Sequence, residues 1–272
     1  MLRELGQCFD AASCAKNVGT GHPQGDTFIS AAKPNSSFDV HVAGCAANAT
    51  SCTSDNTPAG CCEGNVAASL ADFTDANLAK YQLIFFANPT GSDFSSGGAV
   101  GQAGMAAIQK FIQGGGGYGG THSATDFEQG GGFPFYEQEM TGGRFVTHNG
   151  DGTAGTVIVA PNFATHPVVQ GIPANWATQD EWYCQTVNIE SNPKFSVLAT
   201  LTGPTQPSSC PVMGQVQRPV FWVREFPAMD GAGVMKGRTF YTIQGHNIAR
   251  YGEKPFRRLI HNAILWATHR LE

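Results

Sequence analysis

From residue 81 onward the chain alternates short apolar runs with turn-rich polar segments. Tyr81-Gln-Leu-Ile-Phe-Phe-Ala is a continuous run of strand length, and Asn88-Pro-Thr-Gly-Ser-Asp after it is dense in turn formers. The pattern predicts a buried strand that ends in a loop. Met105, Ile108 and Ile112 then fall at i, i+3 and i+7, one face of a helix that Gly114 to Gly117 bring to a stop. Tyr118-Gly-Gly-Thr predicts a short strand that delivers His122 to a loop. Further strands are predicted at 144–147, 155–160, 195–201, 219–224 and 238–243. The last helix is predicted from Pro255, a good first-turn residue, with Phe256, Leu259, Ile260, Ala263, Trp266 and Ala267 on its apolar face. Strand–helix–strand alternation around 81–121 predicts an α/β sheet with helices on both faces. With no internal repeat or long linker, residues 1–272 read as one domain.

Residues 1–66 follow another pattern, loop-rich with one alternating stretch, Phe38-Asp-Val-His-Val, that suits a half-buried strand. Six of the eight cysteines lie here, at 8, 14, 45, 52, 61 and 62, with the others at 184 and 210. An even number in such a setting predicts a disulfide framework and an oxidising, secreted or periplasmic location. Zinc is disfavoured, because there is no C-x-x-C and Cys61-Cys62 is too close for tetrahedral ligand spacing. Cys184 is expected to pair with Cys210, since the intervening chain contains a strand that returns it alongside itself. Local pairs are expected among the rest, Cys8 with Cys14 and two bridges among Cys45, Cys52, Cys61 and Cys62. Asn35 and Asn48 begin glycan-acceptor triplets, which decide nothing alone. Charged residues are 14% of the chain and the net charge is −5, so no basic face for nucleic acid is indicated. The apolar run 83–87 is far too short to cross a bilayer of about 30 Å as a helix, so no membrane span is expected.

Binding groups in open α/β sheets collect at the carboxyl ends of strands. That rule selects Asn88, Thr90 and Gly91 after the first strand, His122 and Asp126 after the second, His148 after 144–147 and His246 after 238–243. The tract from Gly114 to Gly120 is not a phosphate cradle, because it runs helix, glycines, strand and so presents the carbonyl end of a helix. Gly120-Thr-His122-Ser-Ala has the small-residue flanks of a nucleophile elbow, with an imidazole where a nucleophile would stand. Ser123 beside it is a weaker nucleophile candidate, since neighbours at a sharp turn point apart. Asp180-Glu181-Trp182-Tyr183 sets two carboxylates beside two rings, as in a sugar site or in a surface turn with its rings tucked inward. His166, His261 and His269 are assigned no chemistry.

These segments together resemble the trehalose-utilisation (ThuA-like) family of the class I glutamine-amidotransferase-like superfamily, from about residue 69 to the C-terminus. The resemblance rests on Phe73-Thr-Asp-Ala-Asn-Leu-Ala-Lys-Tyr, Pro89-Thr-Gly, the stretch from Gly115 to Asp126, Gly142-Gly-Arg-Phe-Val-Thr-His, His166-Pro, Asp180-Glu-Trp-Tyr, the stretch from Gly237 to His246 and Ile264-Leu-Trp-Ala. It implies a flavodoxin-like, doubly wound, mainly parallel sheet, a histidine in place of the amidotransferase cysteine, and a role in carbohydrate metabolism. His122, His148, Glu181 and His246 sit where the family places its polar site groups. The chain departs from the pattern in two ways. No core strand precedes the first residues, so either the opening strand is missing from the chain or Gly21-His22-Pro-Gln-Gly is its diverged turn, which would add His22 to the site. The cysteine-rich stretch 8–62 looks like an extracellular elaboration of the opening unit.

The reading is therefore a secreted enzyme acting on a sugar or glycoconjugate by hydrolysis or an isomerase- or lyase-type step. His122, Glu181 and His246 would transfer protons or hold a divalent metal, zinc or iron, while Thr90, Gly91, Asp126, His148, Trp182 and Tyr183 bind substrate. The alternative is a non-catalytic carbohydrate-binding or structural protein with a degenerate site. Thiol titration of the denatured, unreduced protein is expected to find no free cysteine, and two or more reactive thiols would remove the basis for secretion.

Overall fold

A computed structural model describes residues 70–128, 130–211, 218–227 and 236–272. His22, the strand candidate at 38–42, Asn35, Asn48 and the six N-terminal cysteines lie outside the described residues. The described strands are β1 (Leu83–Ala87), β2 (Gly117–Thr121), β3 (Phe145–His148), β4 (Thr153–Val159), β5 (Asn175–Asp180), β6 (Tyr183–Gln185), β7 (Ser196–Thr202), β8 (Arg218–Glu225) and β9 (Arg238–Thr242). The α-helices are α1 (Asp75–Leu78), α2 (Asp93–Ser96), α3 (Gly98–Gln113), α4 (Ile248–Gly252) and α5 (Lys254–Ala267), and a π-helix spans Tyr136–Thr141.

Seven strands form one sheet in the order β1-β2-β9-β8-β7-β4-β5, and β3 pairs with β6 in a separate two-stranded ribbon. β1, β2 and β9 are parallel, whereas β9–β8, β8–β7, β7–β4 and β4–β5 are all antiparallel. The expected mainly parallel, doubly wound sheet is thus corrected to a mixed one. Parallel neighbours need a long crossover, usually a helix. α2 and α3 supply one between β1 and β2; among the described residues the connections from β4 to β9 carry no α-helix, and those strands run antiparallel. The strand expected at 144–147 leaves the main sheet for the ribbon. β5 went unpredicted, although its residues alternate exposed and buried along Asn-Trp-Ala-Thr-Gln-Asp.

Helices do cover both faces of the parallel part. Ile84, Phe86 and Tyr118 face one way, where Phe86 meets Phe73, Tyr118 and Phe127 edge-on. Phe94 joins this cluster and packs against α3, whose Gly101 and Gly104 leave room for it: a Cβ on Gly101 would lie 1.9 Å from the Phe94 carbonyl oxygen. This explains why α3 extends from Gly98, well before the apolar spacing that announced it. On the opposite face Arg238 donates to the carbonyl of Trp266 in α5. The glycine-rich β2 holds as a strand because its neighbours' rings fill the space over it. Gly119 sits in register between Phe85 and Phe240, whose rings are 5.9 Å apart.

Ala87, Thr121 and Thr242 are in register, so the loops after β1, β2 and β9 leave the sheet side by side. A Cβ on Gly119 would lie 2.3 Å from Phe240 Cζ and 2.7 Å from Phe85 Cδ2. Gly119→Ala is expected to cost about 1–3 kcal/mol of overpacking, a fall of roughly 2–10 °C in the thermal midpoint by calorimetry.

Candidate functional site

His122 stands at the end of β2 with φ 42°, a left-handed conformation rare for a side chain of this size, before a 3-10 turn over His122–Thr125. The conformation turns the imidazole along the carboxyl edge of the sheet. Its carbonyl accepts from the Tyr241 hydroxyl, and Thr125 Oγ1 lies 2.8 Å from the same hydroxyl, so β9 anchors the turn. The ring is 0% exposed. Tyr183 covers it at 4.0 Å between ring centroids, and His246 lies against it at 5.0 Å.

One ring nitrogen can be assigned from chemistry. His122 Nδ1 lies 3.1 Å from the carbonyl oxygen of Ile243, which can only accept, so Nδ1 carries a hydrogen. In the neutral ring Nε2 then presents a lone pair, and it does so 3.2 Å from Glu181 Oε2 and 3.1 Å from His246 Nδ1. His246 Nδ1 is in turn 3.0 Å from Glu181 Oε2. The triangle becomes favourable when a proton or a cation lies within it. Its three donors form a group able to hold a metal ion. Their 3.0–3.2 Å edges fall between the roughly 3.0 Å of an octahedral face and the roughly 3.4 Å of a tetrahedral one at metal–ligand distances near 2.1 Å. The Nδ1–H to backbone carbonyl bond is the second contact that metal-ligating histidines commonly make.

The other carboxylate oxygen, Glu181 Oε1, faces His148 Nδ1 at 3.1 Å. Side-chain exposure rises from 0% at His122 through 13% at Glu181 and 19% at His246 to 40% at His148, so the site opens to solvent on the His148 side. Phe145 in β3 packs against Tyr183 at 4.2 Å and stacks on His148 at 5.7 Å, continuing the aromatic wall outward.

Asp180 aligns these groups. Fully buried, it accepts from the N–H of Glu181 at 2.8 Å and of His246 at 3.1 Å through Oδ1, and from the N–H of Gly245 at 2.8 Å through Oδ2. Burial pushes its carboxyl above the ordinary range, against the opposing pull of His122 and these three donors. Burial also acts to raise Glu181, but hydrogen bonds to His122 and His246 outweigh it and hold the carboxylate well below its usual range. The hydrogen bond to Glu181 raises His246, outweighing burial.

The structure thus brings His122, His148, Glu181, His246 and Tyr183 together, with half-buried Asp126 raising Tyr183 and Tyr241 electrostatically behind the larger effect of burial. It does not bring Trp182 there. That ring turns away to β4, its Nε1–H donating to the carbonyl of Thr153 at 2.7 Å, so Trp182 is no part of the wall. Gly91 is exposed and engaged elsewhere, accepting from the Glu128 N–H, while Thr90 lies in the same loop. The loop's buried contribution is Asn88, whose Nδ2 donates to the Gly245 carbonyl at 2.8 Å and whose Oδ1 accepts from Thr121 and Tyr251. Asn88, which the strand-end rule selected without giving it a role, and Asp180, which was not carried into the site, are its positioning residues. Asn88's place after a strand and Asp180's place beside Glu181 were the available signals. A groove of about 390 Å³ beside Tyr81, Lys110 and Phe111 lies at the opposite ends of β1 and β2, away from these residues.

The ThuA family, described as trehalose utilisation, matches residues 51–267. The chain belongs to this family. Among solved structures it is similar to a ThuA-like protein from Bacteroides uniformis ATCC 8492, at 17% identity and TM-score 0.63 over 98% of this chain and 89% of that one. A ThuA-like protein from Parabacteroides merdae ATCC 43184 matches at 16% identity and TM-score 0.59, over 98% and 88%. A protein from Salmonella typhimurium LT2 described as cytoplasmic matches at 12% identity and TM-score 0.50, over 92% and 86%. At these identities the likenesses show the fold. No curated protein matches the chain. His122 follows the second described strand, and the Cys184–Cys210 disulfide, with Cα atoms 5.8 Å apart, joins β6 to the loop before β8 as expected from the strand that lies between the two cysteines.

Two outcomes follow from this ThuA site. In Asp180→Asn one amide N–H₂ must face a backbone donor, so a loss of about 1–3 kcal/mol is expected, with a lower thermal midpoint. In the metal-free protein, Glu181 contributes stability above its ordinary pKa of about 4.3, lost as pH falls through the lowered value. His246 contributes below its ordinary value of about 6.5, lost as pH rises through the raised one. Their coupling in a double-mutant cycle should therefore be greatest between about pH 4.5 and 6.5 and decline on both sides. Coupling that still grows from pH 6 to pH 9 would contradict the assignment.

Proposed function

We propose that this ThuA-family protein is a secreted or periplasmic enzyme acting on a sugar or glycoconjugate, with His122, Glu181 and His246 as its reacting groups. The observation that carries this reading is the convergence of the His122 Nε2 lone pair, an ionised carboxylate and a second imidazole within 3.0–3.2 Å of one another. Stability alone does not require such an arrangement. Buried carboxylates and imidazoles with displaced pKa values concentrate where protons are moved.

In the metal-free form Glu181, held ionised, accepts a proton, and His246, whose affinity for a proton Glu181 raises, supplies one when it is protonated. A step that removes a proton from one sugar carbon or hydroxyl and returns it to another oxygen needs that pair. His122, fixed by Ile243, turns its Nε2 lone pair toward His246 Nδ1. Substrate enters past His148, with Phe145 and the edge of Tyr183 offering apolar area to a sugar face and Asp126 beside Tyr183 for hydroxyl groups. With zinc or iron bound to His122, Glu181 and His246, the cation would supply Lewis-acid polarisation of a sugar oxygen. The family's description, trehalose utilisation, supports a sugar as substrate, and the Cys184–Cys210 disulfide supports an oxidising compartment. One observation favours the second reading, a non-catalytic carbohydrate-binding protein: His122 is fully buried and both oxygens of Glu181 are already engaged.

The test pairs metal analysis of the purified protein with an NMR screen for turnover of disaccharides and glycosides, trehalose included. Glu181→Gln, nearly isosteric, should keep the fold and lose turnover by a factor of 10² or more, together with any bound zinc or iron. His122→Ala should also melt several degrees early, because it leaves the Ile243 carbonyl without its donor. Sugar binding without turnover in the wild type, unchanged in Glu181→Gln, would replace this reading with the second.

A further inference from the structure

Arg218, the first residue of β8, is 5% exposed, and among the described residues its guanidinium meets no carboxylate. Its Nη1 donates to Asn149 Oδ1 at 2.8 Å and to the Trp182 carbonyl at 3.1 Å, while Nε and Nη2 are buried without a hydrogen-bond partner. Burial pulls the guanidinium down to about 10, with no neighbouring carboxylate to oppose it. A buried cation left in this condition is costly by several kcal/mol, and a water molecule would satisfy its N–H groups without compensating its charge.

A cavity lies beside it, lined by Arg218, Gln185, Gln206, Tyr183 and Cys184 among others. Two of these share the condition of Arg218: Gln206 Nε2 and Gln185 Oε1 are also buried without partners. Gln185 spends its own amide N–H on Thr125 Oγ1 at 3.2 Å, so its oxygen is left needing a donor. The Gln206 amide carries two N–H groups, neither of them taken by a hydrogen-bond partner. The loop bearing Gln206 is tied to β6 by the Cys184–Cys210 disulfide, which closes the cavity covalently on that side. The space for the centre of a water-sized sphere is about 10 Å³, room for one particle of that order. Sulfate, phosphate and a sugar carboxylate are too large.

We propose that this cavity binds a single monovalent anion of halide size, held by Arg218 Nε and Nη2 and by Gln206 Nε2. The anion balances the guanidinium charge at the junction of β6 and β8. Tyr183, one of the residues lining the cavity, also covers His122 with its ring. The inference is independent of the proposed chemistry, since none of its N–H donors belongs to the His122 triangle.

The experiment measures the thermal midpoint of the oxidised full chain in sodium chloride or bromide against sodium gluconate at equal ionic strength, and then determines a crystal structure from bromide. The wild type should gain roughly 5 °C at saturating halide. Gln206→Leu, on a half-buried loop, should fold normally in gluconate and need at least tenfold more halide for the same gain. Arg218→Met should lose the halide response. Because that variant removes a buried partner of Asn149 and Trp182, the anomalous signal decides: a bromide peak at hydrogen-bond distance from Arg218 Nε and Nη2 is expected. A water without anomalous signal there, or a halide response identical in wild type and Gln206→Leu, overturns the proposal.

Discussion

The site depends on one buried carboxylate. Asp180 ends β5, and through three backbone N–H groups it holds the start of the β5–β6 turn and the loop after β9 together. Glu181 and His246 are directly attached to two of those N–H groups, so the position of both candidate side chains is set by an acceptor that lies outside the triangle they form with His122. Charge-assisted hydrogen bonds to backbone donors are strong and directional, and in a buried place they have no competition from water. Asn88 completes the arrangement from the other side by holding the Gly245 carbonyl while Asp180 holds the Gly245 N–H.

The mixed sheet makes this meeting possible. β9 and β5 are separated by β8, β7 and β4 in the sheet order, about 19 Å if the sheet were flat at ordinary strand spacing. Because four successive antiparallel pairings separate them, the two strands point the same way, and their carboxyl ends share one edge. The sheet's right-handed twist and curl then bring that edge round until Asp180 reaches Gly245 at 2.8 Å. A sheet of uniformly parallel strands would have needed a crossover for every pair. Here antiparallel pairings bring the two strand ends to one edge, and the ribbon of β3 and β6 adds its aromatic wall.

Much was legible along the chain because the signals were local. β1 declared itself by an unbroken apolar run, α5 by its stripe and proline, and His122 by small residues on either side of a strand end. The glycines of β2 were readable as a strand only through their flanks, since what keeps them extended is the rings of Phe85 and Phe240 on neighbouring strands. Trp182 shows the limit. Adjacent to Tyr183 in a polar cluster, it looked equally suited to the site, but successive side chains in extended backbone point to opposite sides, and its ring went to β4.

The sequence by itself pointed to His122, Glu181 and His246 as candidates, to the ends of β1 and β2, to the pairing of Cys184 with Cys210 and to the family to which the chain belongs, because each can be read from residue type and order along the chain. Tertiary structure alone decided strand direction beyond β2, the partnership of Asp180 with a loop 65 residues away, and the burial of His122 beneath Tyr183. These depend on how a twisted sheet closes on itself, and a contact across several strands leaves no periodic trace in the chain that makes it.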